Sequence, residues 1–578
     1  MIVIVRNLYT ILKISSAKNS LLIILFVLIN SLFELISLGM LLPLITSFAD
    51  ETILIKIYDF VKYHQLFNLD FLTYDRKSFF KIFIFIILSI YTIKYLINLF
   101  FNYFLIKQRI EYEKQITNRF LLDLLNSRKF DILNLPKSQI LQDINSRISL
   151  VAQSIYDFSY LAAELIILIS LMIFFFISLG TKILIPVCIF IFLSIIILNL
   201  LKKKAVHWGT QREKEGNAKS KSLLDILEGA REIIVFGGFK SLIEDFKTNN
   251  SKYLAPTRKL TFWRTIPKIF LEFCLFSSIL IYFYYVVNNN LEFEKIIGSM
   301  AVVVVVLLRA VPSLNRIIYF YTQLKYASEA IIIIKQIIQK SLLERNEAKE
   351  KEISFSKKIS IDKIEFKYTP QLNIFKNANL SIYKNEKIAI IGETGLGKST
   401  LVDIIAGLKK PSSGSLKIDN IKLLKENTKS WIKKIAYVSQ RVYLFNSSIR
   451  NNITFYPEDK KVDIKKLNKI LKLVELDSFV KRKREKELFS VGEFGSKVSG
   501  GQRQKIGIAR ALFSDRPIII FDESTNSMDE ETQKIVLQNI LGLKNKTIIF
   551  ITHSSILAQK FDCIYKIENK KIIKIKSI

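Results

Sequence analysis

A glycine-rich segment between an apolar strand and a helix has the composition of a phosphate-binding loop. The strand is predicted over residues 387–391 and the helix over 401–408, and the loop between them is Gly392, Glu393, Thr394, Gly395, Leu396, Gly397, Lys398, Ser399 and Thr400. Glycines let successive backbone N–H groups surround a phosphate, and the N-terminus of the following helix adds positive potential. We therefore expect Lys398 to reach the β- and γ-phosphates of a nucleotide and the Ser399 hydroxyl to bind Mg²⁺.

An acidic pair follows a second buried strand. The strand is predicted over residues 517–521, and Asp522 and Glu523 come directly after it. In folds of this kind, ligands bind at the carboxyl edge of the parallel sheet. The pattern predicts that Asp522 holds Mg²⁺, directly or through water, and that Glu523 polarises the water that attacks the γ-phosphate.

A third segment, between these two, carries a family resemblance. Val498, Ser499, Gly500, Gly501 and Gln502 open a predicted helix and resemble the signature of ATP-binding cassette (ABC) proteins, with Val where the family usually has Leu. In that family the signature residues face the γ-phosphate held by the P-loop of a partner domain. The resemblance therefore implies a cofactor-binding role for Ser499, Gly500, Gly501 and Gln502, and a functional unit of two chains related by a two-fold axis.

Other family elements match in order along the chain. Tyr368 looks like the aromatic residue that stacks on adenine, and Gln440 looks like the Q-loop glutamine, which implies roles in catalysis and in binding Mg²⁺. Residues 527–529 resemble the D-loop, with Met for the usual Leu. His553 follows a strand and looks like the switch histidine, a catalytic residue. The resemblance implies ATP and Mg²⁺ as cofactors and an enzyme that couples ATP hydrolysis to transport.

The composition divides the chain into a membrane part and a soluble part. Of 578 residues, 50% are hydrophobic and 24% are charged, which requires the two kinds of residue to be separated along the chain. Because a bilayer span needs about 20 apolar residues, six spans are predicted within residues 1–330. They cover about 21–49, 82–106, 158–179, 183–201, 261–287 and 296–321. Residues 331–358 are predicted to be a linker, and 359–578 an α/β nucleotide-binding domain.

The charge distribution predicts the orientation in the membrane. Lys+Arg exceed Asp+Glu by 85 to 51, a net charge of +34, and the long loops 107–147 and 202–259 are rich in Lys and Arg. A nucleic-acid-binding protein can carry such an excess, but the positive-inside rule explains it better. We expect no nucleic-acid partner, and a multi-pass protein of the bacterial inner membrane with both termini and the ATPase domain in the cytoplasm. The three cysteines lack metal-ligand spacing.

Six spans followed by one such domain resemble an ABC exporter half-transporter. The expected fold is an α-helical six-span transmembrane domain with long intracellular helices, followed by an α/β P-loop ATPase domain. The resemblance implies a homodimer. A peptide exporter with a built-in leader peptidase would need a further domain before the first span. The interfacial helix predicted around residues 5–14 starts almost at residue 1, so this class is not favoured.

Charged residues inside predicted spans suggest the class of substrate. Such residues cost about 2.5–3.5 kcal/mol each by insertion scales, so they are expected to face a cavity, although ion pairing or snorkelling is the alternative. Basic residues outnumber Glu34, Glu164 and Glu272, which favours an anionic substrate. The basic residues predicted to contact it are Lys94, Lys268, Arg309 and Arg316.

Two segments narrow the resemblance further. Glu34 followed by residues 39–46, together with residues 308–317, looks like the flippases of lipid-linked oligosaccharides in bacterial N-glycosylation. Their external amphipathic helix would correspond to residues 53–67. This implies a polyprenyl-pyrophosphate glycan, moved from the cytoplasmic to the outer leaflet. Multidrug, peptide and lipopolysaccharide-precursor exporters of the same fold remain as alternatives.

Overall fold

The computed structural model describes residues 2–14, 25–33, 36–37, 40, 76–126, 136–179, 184–288, 293–346, 351–369, 371–455 and 462–577. The chain forms two compact units, a helical one that extends to Leu342 and a second one from Leu343 to Ile578. Glu34, most of the predicted span 21–49 and the predicted external helix 53–67 lie outside the described residues.

Long helices make up the first unit. They are α1 (Ile2–Ile14), α2 (Arg76–Asn126), α3 (Lys137–Gln142), α4 (Ile148–Leu179), α5 (Leu184–Glu228), α6 (Ala230–Phe236), α7 (Phe239–Asn288), α8 (Phe293–Tyr326) and α9 (Ser328–Asn346). A π-helical turn, Asp143–Arg147, joins α3 to α4. The predicted spans after the first fall on α2, α4, α5, α7 and α8. Within the described residues, Lys81–Leu125 and Lys137–Ile173 are long and apolar enough to cross a membrane by length and composition.

Apolar side chains at helical spacing build the core of this unit. Ile4, Leu8 and Ile11 form one buried face of α1 and pack with buried residues of α2, α4, α8 and α9. Helix α9 joins this core through buried isoleucines, although it runs to Asn346, well into the range 331–358 predicted as a linker. The spacing of those isoleucines gives α9 an apolar face, and the charged composition that suggested a linker belongs to the residues after it.

The second unit contains two sheets. The first is antiparallel, in the order β2-β1-β4-β5, with β1 Lys358–Lys367, β2 Asn373–Tyr383, β4 Ser413–Ile418 and β5 Ile421–Lys422. The second has the order β10-β9-β3-β8-β7-β6, with β3 Lys387–Ile391, β6 Ile435–Val438, β7 Ile518–Asp522, β8 Thr547–Ile551, β9 Cys563–Glu568 and β10 Lys571–Ser577. Neighbouring strands from β9 to β6 are parallel, and only β10 runs antiparallel to β9.

Helices complete the second unit on both sides of the six-stranded sheet. They are α10 (Lys398–Ile405), α11 (Thr428–Ile432), α12 (Ile449–Thr454), α13 (Ile464–Leu473), α14 (Asp477–Lys481), α15 (Gly500–Phe513), α16 (Glu530–Leu541) and α17 (Ser555–Ala558). Ile353 and Phe355, which precede β1, already belong to the core of this unit.

The register of the parallel strands determines where the candidate site lies. Ile390 of β3 pairs with Ile551 of β8, Asp522 of β7 pairs with the same residue, and Val438 of β6 pairs with Phe521. The strands therefore end at one edge of the sheet. The segments that follow them, which carry the predicted site residues, meet there because parallel strands share the direction of their carboxyl ends.

Candidate functional site

The glycine-rich loop leaves β3 and ends at the first turn of α10. Gly395 and Gly397 have φ angles of +89° and +95°, which only glycine adopts without strain. A Cβ atom at Gly397 would also lie 2.3 Å from Ile374 Cγ2. Gly397 precedes α10 and accepts a backbone hydrogen bond from Leu401 at 2.8 Å, so the N-terminus of α10 faces the loop. Glu393 and Thr394 lie in the loop between these glycines.

Lys398 is buried at the centre of this loop. Its Nζ donates hydrogen bonds to the carbonyl oxygens of Gly392 at 2.8 Å and Glu393 at 3.0 Å, and lies 3.8 Å from Glu523 Oε1. Burial lowers the pKa of Lys398, while the carboxylates of Glu523 and Asp522 oppose that shift. The ammonium group is thus held by the loop at the sheet edge, close to the acidic pair.

Asp522 ends β7 with its side chain buried. The Tyr437 hydroxyl donates to its Oδ2 at 3.1 Å, and its buried Oδ1 has no hydrogen-bond partner among the described residues. Burial raises the pKa of Asp522, and the Ser399 and Tyr437 hydroxyls only partly offset this. The buried Asp522 carboxylate and the neighbouring Ser399 hydroxyl form the kind of oxygen ligand set that fits Mg²⁺.

Glu523 is the centre of a hydrogen-bonded group of side chains. Gln440 Nε2 donates to its Oε2 at 2.9 Å, and His553 Nε2 lies 2.5 Å from its Oε1. Asn526 Nδ2 is a further donor to Oε2, at 3.3 Å. The structure thus brings together the three residues predicted to be catalytic. Gln440, which was also predicted to bind Mg²⁺, hydrogen-bonds to Glu523.

Tyr368 lies beyond the end of β1 with half of its side chain exposed. Its hydroxyl is 3.0 Å from Thr400 Oγ1 on α10 and accepts a hydrogen bond from Lys409 at 2.7 Å. The ring is therefore attached to the helix that follows the phosphate-binding loop.

The signature segment forms the start of α15. Ser499 is the N-cap, and it and Gln502 form reciprocal hydrogen bonds of 3.0 and 3.2 Å between side chain and backbone. Gly500 and Gly501 lie against the D-loop, where a Cβ atom at Gly501 would be 3.0 Å from the Ser527 carbonyl oxygen. Gln504 accepts a hydrogen bond from the Ser527 backbone at 2.9 Å. Ser499 itself is exposed.

Comparison with known proteins agrees with this geometry. The family model of the ABC transporter transmembrane region matches residues 21–310, just over half of the chain, and the family model described as ABC transporter matches residues 375–526. The chain belongs to the ABC transporter family. It is thus embedded in a membrane, and its second unit is an ABC ATPase domain, whose cofactors are ATP and Mg²⁺.

Two proteins similar to this ABC transporter are named as transport proteins. It is 30% identical over 359 residues to the ATP-dependent lipid A-core flippase of Wigglesworthia glossinidia brevipalpis, covering 60% of each chain. It is 27% identical over 361 residues to the lactococcin-G-processing and transport ATP-binding protein LagD of Lactococcus lactis subsp. lactis, covering 61% of this chain and 50% of LagD. The matched region thus spans 60% and 50% of these relatives' length.

A solved structure shares the fold of the transporter. A bacterial Atm1-family ABC exporter with ATP bound superposes with a TM-score of 0.79 at 16% identity, covering 97% of this chain and 96% of that chain. The predicted fold class, a helical transmembrane region followed by an α/β ABC ATPase domain, is confirmed, as are ATP and Mg²⁺ as the cofactors.

The transporter distributes the predicted substrate residues over three helices. On α2, Lys94 donates to Ser37 at 2.9 Å, and on α7, Lys268 is exposed. On α8, Arg309 is half-buried, whereas Arg316 Nε lies 2.6 Å from Oε1 of the buried Glu164 on α4. Ser313 also donates to Glu164, at 2.5 Å. The positive charge of Arg316 is therefore balanced within the chain.

Two contacts of the site were not predicted from the sequence. Asn526, which donates to Glu523, lies three residues after it, so its position beside the acidic pair is a signal that could have been used. Lys409 is 41 residues from Tyr368, and nothing in the local pattern around it points to a contact with the aromatic ring.

Proposed function

We propose that this transporter is an ATP-driven exporter that moves an amphipathic, anionic lipid from the cytoplasmic to the outer leaflet of the bacterial inner membrane, working as a homodimer. The observation that carries the proposal is the group formed by Glu523, Gln440 and His553 beside the phosphate-binding loop. A chain that kept the fold for binding or gating alone would not need a carboxylate held in this way.

The residues of the ATPase domain would have different roles in binding and hydrolysing ATP. ATP with Mg²⁺ supplies a phosphoryl group for transfer to water. The backbone N–H groups of the loop and the Lys398 ammonium group bind the phosphates, and Ser399 and Asp522 would hold the metal ion. Glu523 orients the attacking water and accepts its proton at a carboxylate oxygen, which His553 and Gln440 keep in place.

Several of the basic side chains support an anionic substrate. Lys94, Lys268 and Arg309 lie on three of the helices that carry predicted spans, and Arg316 forms an ion pair with Glu164. Several relatives are named as ATP-dependent lipid A-core flippases, which favours a lipid. As the finer proposal we retain a polyprenyl-pyrophosphate glycan, because a guanidinium group can grip two phosphate oxygens.

Reconstitution into proteoliposomes tests the substrate. We expect Arg309→Leu to lose most flipping of a polyprenyl-pyrophosphate glycan while basal ATP hydrolysis persists, and Arg309→Lys to recover part of it, because Lys binds phosphate only as a point charge. Arg316→Leu is the control on the same helix. It leaves buried Glu164 unpaired, so it should lower expression and thermal stability instead.

The outcomes separate the alternatives. If Arg309→Leu flips the glycan normally, or loses expression as Arg316→Leu does, the proposal of a basic cavity for an anionic substrate is refuted. If the wild-type chain moves lipid A-core but no polyprenyl-pyrophosphate glycan, the lipid class holds and the finer proposal is wrong. Peptide export is a second candidate, favoured by the relative LagD, and a lactococcin-like peptide belongs in the same assay.

A further inference from the structure

A small network of side chains holds the Tyr368 ring from its hydroxyl end. Lys409 Nζ lies 2.7 Å from the Tyr368 hydroxyl but 4.9 Å from the ring centroid. The ammonium group thus lies closer to the hydroxyl than to the ring centre. Its main contact with Tyr368 is the hydrogen bond to the hydroxyl.

Lys409 is itself held in place. Its Nζ forms an ion pair with Asp403 Oδ2 at 2.9 Å, and its backbone N–H donates to the Asp403 carbonyl oxygen at 3.1 Å. Partial burial alone would lower the pKa of Lys409, but the hydrogen bonds to Tyr368 and Asp403 raise it, so the ammonium form persists. Both ends of this lysine are therefore attached to α10.

The remaining contacts fix the ring from other directions. Thr400, which is buried, lies 3.0 Å from the Tyr368 hydroxyl. Phe366 packs edge-on against the ring, with centroids 5.1 Å apart and planes at 88°. Thr400 and Asp403 belong to the same helix whose N-terminus follows the phosphate-binding loop. One helix therefore fixes both the phosphate end of the site and the tyrosine.

We propose that Lys409, held by Asp403, is a positioning residue that fixes the Tyr368 ring for stacking on the base of a bound adenine nucleotide. This rests on the proposed function of the ATPase domain. A ring held in advance loses little conformational freedom when the base binds, and immobilising such a side chain otherwise costs affinity. The network thus sets the distance between base and phosphates through α10.

Nucleotide binding to the full chain in detergent, measured by calorimetry with a non-hydrolysable ATP analogue and Mg²⁺, tests the role of Lys409. We expect Lys409→Met to weaken binding of the analogue by about 2- to 10-fold. Inorganic tripolyphosphate, which has no base, should bind both chains equally. Lys410→Met, which removes the same charge from the exposed neighbouring residue, should bind the analogue as the wild type does.

A double-mutant cycle shows whether Lys409 acts through the tyrosine hydroxyl. In a Tyr368→Phe background, Lys409→Met should have no further effect on the affinity, and Lys409→Arg in the wild-type background should restore most of it. Unchanged binding by Lys409→Met, an equal loss for tripolyphosphate, or additive effects with Tyr368→Phe would each overturn the assignment. If the wild-type chain bound no analogue at all, the proposed ATPase function would fall with it.

Discussion

Glu523 combines a crowded carboxylate with a strained backbone. Its φ angle is +50°, a region that costs a non-glycine residue about 1–3 kcal/mol, and its side chain contacts Gln440, Asn526 and His553. Surrounding structure must maintain this conformation, and the Glu523 backbone N–H donates to Ile551 at 3.2 Å, which ties it to β8. Such strain is typical of residues whose orientation serves a function.

Replacing Glu523 tests its proposed chemistry. Glu523→Gln keeps the size of the side chain but removes the group that accepts a proton, so we expect ATP hydrolysis to fall by at least about 100-fold while ATP binding persists. Phosphate release and nucleotide binding should be measured on the same preparation. Glu485→Gln, at an exposed position away from the site, is the control and should hydrolyse ATP normally. Near wild-type hydrolysis by Glu523→Gln would contradict the mechanism.

The raised pKa of Asp522 predicts an unusual effect on stability. Burial raises it in the folded state, so the ionised carboxylate destabilises the fold at any pH above the raised value, and the penalty disappears as the pH falls towards the ordinary pKa of Asp. We expect Asp522→Asn to raise the melting temperature of the nucleotide-free chain at pH 7.5 and to abolish stabilisation by Mg²⁺ with ATP.

A second aspartate, Asp477, is expected to have the opposite effect on the stability of the fold and serves as a control. The hydrogen bond from Lys481 lowers the pKa of Asp477, so its ionised form stabilises the fold above the ordinary pKa of Asp, and this is lost as the pH falls through the lowered value. Asp477→Asn should therefore lower the melting temperature slightly at pH 7.5. A lower melting temperature for Asp522→Asn as well would show that the Asp522 carboxylate is needed structurally.

Between the elements of the helical unit, buried charges and small residues fix the packing. The π-helical turn places Arg147 against Asp143, and Arg147 Nε lies 2.6 Å from Glu213 Oε2 on α5. All three side chains are buried. Removing one partner of such a group leaves an uncompensated charge and costs about 3–5 kcal/mol. Close backbone contacts, in contrast, depend on glycines of α5.

Two glycines of α5 make a matched pair for a test of helix packing. A Cβ atom at Gly209 would lie 2.1 Å from the backbone oxygen of Tyr326 at the end of α8, which can move only if the helices separate. At Gly216 the Cβ atom would meet Gln142 Nε2 at 2.4 Å, the end of a buried side chain that donates to the Glu213 carbonyl oxygen at 3.0 Å and to Glu213 Oε2 at 3.2 Å. We expect Gly209→Ala to lose about 1–3 kcal/mol of stability.

The control is Gly216→Ala, where the clash is with one side chain and not with backbone. Gln142 can move at the cost of its hydrogen bonds to Glu213, and the better helix propensity of Ala, about 1 kcal/mol over Gly, offsets part of that loss. Thermal melting of both variants in the same detergent provides the comparison. Equal losses would mean that α5 and α8 are free to adjust at Gly209.

For the whole molecule, the contacts of the signature segment favour assembly from two chains. Ser499 is exposed, and its side chain accepts a hydrogen bond from Gln502 in the first turn of α15. The neighbouring glycines lie against the D-loop. If the segment acts on a nucleotide, as we propose from the family resemblance, that nucleotide belongs to a second copy. Two-fold symmetry would then create two composite sites.

Mixing experiments test this arrangement. In dimers formed from wild-type and Ser499→Arg chains, ATP hydrolysis should fall more steeply than the mutant fraction, to about one quarter at an equal mixture if both sites must be intact. Ser499→Ala also removes the helix cap, worth about 0.5–2 kcal/mol, but adds no bulk, so it separates loss of the cap from obstruction of the interface. A linear decline for Ser499→Arg would indicate independent chains.

Local patterns in the sequence predict those features that depend on short stretches of chain. The glycine-rich loop, the acidic pair and the signature segment each need particular residue types at fixed spacing, because backbone conformation is set by near neighbours. The alternation of strands and helices along the chain also predicts a parallel sheet. Its shared edge brings Gln440, Glu523 and His553 together, as the family resemblance implied.

Only the tertiary structure determined the partners of side chains that are distant in sequence. The sequence alone favours Arg316 as a substrate contact, but helix packing places it on Glu164, 152 positions away. In the same way α10 brings Lys409 to Tyr368. Apolar periodicity specifies which face of a helix is buried but not which neighbour covers it, so the pairing of charges between elements depends on packing that no local pattern records.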